Sequence, residues 1–372
     1  MFCTTLRLSA LVAKNHFQSN LKYKLRIMAY QGVLEDFQRI RELKKPKRIP
    51  CVACSEEFDV KWYGKYNYEE FCQDGDKIYE VYKAAIDEFG YDWAWVQIDD
   101  CFEFEPLGIA VKGEGDFLRA TYGYLPVSTE TIKNLPSMDP WKDGRMPEKL
   151  KAIRKLKEHY KDSLLICGSC AAPFSAVGLM WSIQESMLLL LTNPELLYEA
   201  MDYWLEFYKR YIKAQRDAGA DAIWLGDCNA FGNMVPVHLY EEHILTVTKK
   251  LVEYCEKELD IMIWLHNSET NLDSVLSHLP LGASFENIGP AGDIKQVSNA
   301  LKGKAAFSGN LDPLEVLWKG TPELVRSETT RIINSCKENG GYIFNTGEMN
   351  PSQVPAENMK AMMDTARSLS GY

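Results

Sequence analysis

The sequence has no long hydrophobic run. Its longest apolar stretch, residues 187–191, follows Gln184, Glu185 and Ser186, far short of the roughly 20 residues a bilayer-crossing helix needs. There is no excess of positive charge: 42 Lys and Arg stand against 52 Asp and Glu, a formal net charge of −10. That sign repels phosphate backbones and anionic headgroups, so neither nucleic acid nor membrane is an expected partner. Cysteine is sparse, ten in 372 residues, too dilute for a disulfide scaffold. No hydrophobic signal with a small-residue cleavage site precedes the cysteines, so a reducing cytoplasm is the expected location. No Gly-x-Gly-x-x-Gly follows a strand-like run and no Gly-x-Ser-x-Gly occurs, which removes the usual dinucleotide and hydrolase signatures. Acidic residues are missing from the first 34 positions, which carry Arg7, Lys14, Lys22, Lys24 and Arg26. Two readings stand: a transit peptide, or an extension ahead of a start at Met28-Ala29-Tyr30. Residues 1–27 are therefore set apart, and 28–372 are read as a single domain.

What is present is a chain that is 46% hydrophobic and 12% aromatic, enough for a sizeable core. From residue 48 onward, short β-prone apolar runs alternate with longer segments of helical periodicity. The expected strands are 49–55, 92–99, 163–169, 221–227, 261–267, 283–288, 305–310 and 341–346. Asn193-Pro194-Glu195 and Thr321-Pro322-Glu323 each set a capping side chain before a proline at the first helical position. Gly219, Gly303 and Gly340 mark helix ends. Eight strands each followed by a helix predict a (β/α)8 TIM barrel. The segment 101–145, after the second strand, is an insertion expected to form a lid or rim.

Catalytic groups in such a barrel gather at the carboxyl ends of the strands. Here those ends carry Ser55-Glu56-Glu57, Asp99-Asp100, Asp227, His266-Asn267-Ser268, Glu286-Asn287, Asn310 and Glu348. His266 closes an apolar strand, where an imidazole can serve as metal ligand, general acid or hydrogen-bonding group, or simply bond a neighbouring loop. Asp99, Asp227, Glu286 and Glu348 are candidate site carboxylates, each with the competing reading of a helix cap or rim ion pair. Lys61-Trp62-Tyr63-Gly64-Lys65-Tyr66-Asn67-Tyr68 is expected to be a loop whose aromatics, Trp62 and Tyr63 among them, either stack on a flat ligand or form a satellite cluster. The pairs Cys51/Cys54 and Cys167/Cys170 have zinc-like spacing but lie on expected strands, where residues three apart face opposite ways; they are read as buried small residues.

Several segments resemble the uroporphyrinogen decarboxylase superfamily: Ser308-Gly309-Asn310-Leu311-Asp312-Pro313 with Gly320-Thr321-Pro322-Glu323, Gly340-Gly341-Tyr342-Ile343 with Thr346-Gly347-Glu348, and Pro355-Ala356-Glu357-Asn358. Gly168 to Pro173-Phe174 and Gly219-Ala220-Asp221 add to the likeness, which runs from about residue 46 to the end. The resemblance implies the same barrel and one of two chemistries, porphyrinogen decarboxylation or methyl transfer to or from a corrinoid protein. The decarboxylases carry an arginine-rich Met-Arg-Gln-Ala-Gly-Arg segment after the first strand. Here that stretch reads Cys54-Ser55-Glu56-Glu57-Phe58-Asp59, which repels a polycarboxylate. The thiol-directed methyltransferases of the superfamily bind zinc through His-x-Cys and a later Cys; the matching positions are His266, Ser268 and Glu348, a harder set suited to oxygen or nitrogen.

The resulting expectation is an enzyme that moves a methyl group from a small O-methyl or N-methyl donor, an aromatic methyl ether favoured, to a corrinoid (cobalamin-binding) partner protein. Its expected catalytic residues are His266, Glu348, Asp227 and Asp99. Trp62, Tyr63, Asp100, Glu286 and Asn310 are expected to bind substrate, and zinc is a possible cofactor held by His266 and Glu348. The alternative is a decarboxylase or lyase acting on a less acidic substrate.

Overall fold

The protein is described here from a computed structural model that covers residues 30–371; the segment 1–27 lies outside the described residues. Its centre is a seven-stranded parallel sheet in the order β1, β4, β5, β6, β7, β8, β9. The strands are β1 (Trp93–Trp95), β4 (Leu165–Ala171), β5 (Ala222–Gly226), β6 (Met262–Glu269), β7 (Phe285–Ile288), β8 (Phe307–Ser308) and β9 (Tyr342–Ile343). Nearly every strand residue is buried, because a parallel sheet covered on both faces has no solvated side to decorate with polar residues. The helix starts at Asn193 and Thr321 and the end at Gly219 fall where expected, whereas the helices before Gly303 and Gly340 already end at Leu301 and Cys336. Asn193 and Thr321 accept from the backbone N–H groups of Leu196 and Leu324, and Gly219, at φ +115°, closes Pro194–Ala218.

The expected first strand, 49–55, forms no ladder. Pro50 brings no N–H to a ladder, and a helix, Glu56–Tyr63, begins directly after Ser55. Residues 50–52 instead bridge the two edges of the sheet: Val52 N–H donates to Phe344 and Phe344 N–H to Pro50, while Asp92 N–H donates to Cys51. The expected seventh and eighth strands shorten to two residues each, and the expected aromatic loop 61–68 is in part the end of the helix Glu56–Tyr63. The insertion contains a small antiparallel hairpin, β2 (Val111–Lys112) with β3 (Ala120–Thr121), and a helix, Thr129–Lys133. Among the described residues no single helix is long and apolar enough to cross a membrane.

Indole rings fill the inner face of the sheet. Trp93 lies 4.6 Å from Trp264, Trp95 lies 5.4 Å from Trp224, and Trp224 lies 4.9 Å from His266, centroid to centroid. The helix Val33–Arg41 adds Phe37 against Trp264 and Phe285. This layer lies toward the amino ends of the strands and leaves the carboxyl ends for polar groups.

Because interiors are close-packed, the Trp264→Ala variant leaves a cavity that its aromatic neighbours cannot fill. We expect it to cost about 3–5 kcal/mol of unfolding free energy, against about 0.5 kcal/mol or less for the exposed Leu191→Ala. Urea denaturation of the two variants beside the parent chain checks this.

Candidate active site

At the carboxyl ends of β1, β4 and β5 lies a cavity of about 120 Å³. Its walls include Phe102, Phe104 and Trp224, and its polar groups include Gln97, Asp99, Asp100, Glu103 and Cys228. Of the expected site residues, Asp99 and Asp100 line it; His266, Glu348 and Asp227 are not part of its lining, which instead takes in Trp224, 4.9 Å from His266, Cys228 beside Asp227 and Met349 beside Glu348.

Asp99 is buried and fully engaged. It accepts from both Arg145 guanidinium nitrogens, at 2.8 and 3.1 Å, and from the N–H groups of Cys101 and Phe102. Arg119 stands 3.6 Å away, and both arginines also reach Glu105. This four-residue cluster clamps the insertion to the end of β1, so Asp99 positions the rim. Asp100 opens onto the cavity. Desolvation and the neighbouring Asp99 charge push its carboxyl up to about 6, and Gln97 Nε2 donates to it at 2.9 Å.

His266 is fully buried, and neither ring nitrogen has a hydrogen-bond partner among the described residues. Burial holds its imidazole below the ordinary range, with the nearby Glu348 charge opposing, so the ring is neutral at pH 7. Glu348 Oε2 stands 3.8 Å from His266 Nε2, and its side chain is 36% exposed, which makes this point reachable from outside. Ser268, at φ +56°, donates its hydroxyl to Glu348. Asp227 is buried, accepts from Ser175 Oγ at 2.9 Å, and keeps Oδ2 unpaired. Burial, partly offset by Ser175, pushes its carboxyl up to about 6.

The other expected substrate-binding residues face elsewhere. Trp62 packs edge-on against Phe89, at 5.0 Å, and Tyr63 donates to Glu80 at 2.5 Å. Both rings belong to the cluster between the helices Glu56–Tyr63 and Gly75–Phe89. Glu286 accepts from, or pairs with, His278 Nδ1 at 2.7 Å. Alternation along β7 sends it to the face opposite Asn287, and Asn287 is the neighbour in register with His266. Asn310 donates Nδ2 to the carbonyls of Gly289 and Gly292 and so ties down the chain after β7.

Two further groups escaped the sequence reading: Glu103, which lines the cavity, and Lys149, buried behind Phe102. Lys149 is fully buried and donates to the Ser169 carbonyl at 2.7 Å and to the Ser169 hydroxyl. Its ammonium lies 4.3 Å from the Phe102 ring centroid, and burial lowers it to about 8. Glu103 is buried beside it, accepts from Tyr208 at 2.6 Å, and leaves Oε1 without a partner; burial pushes it up to about 7. Lys149 was legible as a lysine inside the apolar stripe of Met146, Leu150 and Ile153.

The residues do not fit the expected zinc site. His266 and Glu348 supply two donors, and among the described residues no group of three or more His, Cys, Asp or Glu is arranged to hold an ion, whereas catalytic zinc takes three protein ligands. The thiols of Cys51 and Cys54 are buried and pushed up by burial. Cys167 and Cys170 are likewise buried and unbridged.

The family model described as uroporphyrinogen decarboxylase (URO-D) matches residues 34–369, and the chain belongs to that family. It is 28% identical to the methylcobamide:CoM methyltransferase MtbA of Methanosarcina mazei, over 79% of this chain and 85% of that protein. It is 26% identical to the uroporphyrinogen decarboxylase of Trichlorobacter lovleyi, over 82% and 88%. A solved methyltransferase structure from Methanosarcina mazei superposes with a TM-score of 0.77 at 16% identity, covering 89% of this chain and 96% of that one, a likeness of fold.

The raised Asp227 carboxyl sets a pH dependence. Its folded value, about 6, exceeds its ordinary 3.8, so its contribution to stability is full below about pH 4 and is lost as pH rises through 6. Asp227→Asn keeps an acceptor for Ser175 and removes that loss. Its melting temperature is expected to exceed the parent's by more at pH 7.5 than at pH 4.5. Calorimetry at the two pH values checks the sign.

Proposed function

We propose that this member of the uroporphyrinogen decarboxylase family is a methyltransferase that moves a methyl group from a small O-methyl or N-methyl donor in the cavity to a corrinoid carried by a partner protein. The observation that carries this reading is the charge at the mouth. Arg119 and Arg145 are engaged by Asp99 and Glu105, while Asp100, Glu103 and Glu348 remain around the opening. A polycarboxylate porphyrinogen finds no free guanidinium there and meets carboxylates instead. The similarity to a methylcobamide-dependent methyltransferase supports the same choice.

A corrinoid brought to the open mouth by its partner protein would supply Co(I) as the nucleophile. The chain's own residues hold the donor and manage the leaving group. Phe102, Phe104 and Trp224 form walls that fix its orientation. With an O-methyl donor, a protonated Asp100 or Glu103, both raised toward neutrality, gives its proton to the departing oxygen as the C–O bond breaks. Neutral His266, whose two nitrogens have no protein partner among the described residues, packs 4.9 Å from Trp224 and so positions that wall from the β6 side. The exposure of Glu348 and Asp100 leaves the mouth open to a partner. An aromatic methyl ether no longer draws support from Trp62 and Tyr63, and rests on the cavity rings alone. The eight-stave barrel belongs to the same reading: residues 50–52, bridging both sheet edges, take the place of the first stave.

Incubating the protein with cob(I)alamin and a panel of methyl donors, with absorbance reporting methylcobalamin, tests the reading. Protein-dependent methylcobalamin is expected, with kcat/KM reduced about 10²-fold in His266→Ala as the Trp224 wall loses its support. Carbon dioxide release from a porphyrinogen or other carboxylate, with no methyl transfer from any donor, would overturn it in favour of the decarboxylase.

A further inference from the structure

With Asp100 and Glu103 in their ionised forms, the cavity's charges do not balance. Asp99 and Glu105 are matched by Arg119 and Arg145. Lys149, whose ammonium donates to the two Ser169 oxygens, offsets one of Asp100 and Glu103. Among the described residues the other carboxylate of that pair has no ion-pair cation, and Glu348, whose charge reaches Asp100, has only the neutral His266 beside it. Glu103 is 2% exposed, lines the cavity, and keeps Oε1 unpaired. A buried carboxylate oxygen with no partner is costly unless a ligand completes it. Around these oxygens stand Phe102, Phe104 and Trp224. Phe102 already accepts an ammonium on its ring, the Lys149 Nζ at 4.3 Å from the centroid, so the wall has the electrostatics of a cation–π site.

We propose that the donor is a cation, a methylated ammonium compound whose positive nitrogen sits between Asp100 and Glu103 against the aromatic wall. This rests on the methyltransferase reading and names its substrate class. The step balances without an acid: the C–N bond of a quaternary ammonium breaks, its electron pair stays on nitrogen as a neutral amine, and the methyl carbon passes to the nucleophile. Neutral His266 suits a reaction that needs no proton from it.

The test pairs choline with 3,3-dimethylbutan-1-ol, a neutral compound of the same shape, and adds anisole as a neutral aromatic ether. Calorimetric binding to the full chain, without any corrinoid, is expected to favour choline over its isostere by at least tenfold. That preference is expected to fall by about tenfold in Glu103→Gln or Asp100→Asn. Equal binding of the two isosteres, or binding of anisole alone, overturns the proposal. The parent protein decides this by itself, so a variant that fails to fold does not block the test. Methylcobalamin formation from the same compounds separates the two readings. Transfer from anisole and not from any ammonium donor overturns the cation and leaves the methyltransferase standing. Cation binding with carbon dioxide chemistry and no methyl transfer supports the cation site and overturns the methyltransferase.

Discussion

Indole packing inside the sheet governs where everything else can go. Trp93, Trp95, Trp224 and Trp264 occupy the inner face, and Phe37 adds to them from the helix Val33–Arg41. Such an interior admits neither water nor charge, so polar side chains on the inner face are confined to the carboxyl ends, where His266, Asn287 and Ser308 stand in register on β6, β7 and β8. The same confinement desolvates them, which is why His266 is held neutral and Asp227 is raised.

A second constraint is the clamp formed by Asp99, Arg145, Arg119 and Glu105. Two guanidiniums between two carboxylates satisfy one another, with bidentate geometry at Asp99. The clamp fixes the insertion over β1 and at the same time removes both arginines from substrate recognition. What remains at the opening is acidic and aromatic. Family membership alone leaves decarboxylation and methyl transfer both open, since one fold hosts many chemistries; the occupied arginines are what distinguish this mouth from one built for polycarboxylates.

The sequence revealed the alternation of strands and helices, the caps at Asn193 and Thr321, and the polar strand ends, because each is a local pattern. Of the strand-end residues it singled out, Asp99 and Asp100 line the cavity, and Glu348 stands 3.8 Å from His266. The sequence did not show that Asp99 is consumed by arginines 20 and 46 residues further along, since ion-pair partners are set by tertiary approach. Glu286 and Asn287 looked equivalent in a strand end whose pleat phase was unknown, and only pairing with His266 and His278 separates the inner from the outer residue. The aromatics at 61–68 looked like ligand platforms because a short helix after Ser55 was not foreseen. Lys149 was overlooked because lysines are read as surface residues, although its place among Met146, Leu150 and Ile153 was visible.

We propose that the methyl donor occupies the cavity beside Asp100 and Glu103. A crystal structure of the protein soaked with a donor that supports methyl transfer tests it most directly. The account predicts the donor against Phe102, Phe104 and Trp224, its methyl group directed toward the open mouth beside Glu348. A donor bound elsewhere, with the cavity filled only by water, would contradict it.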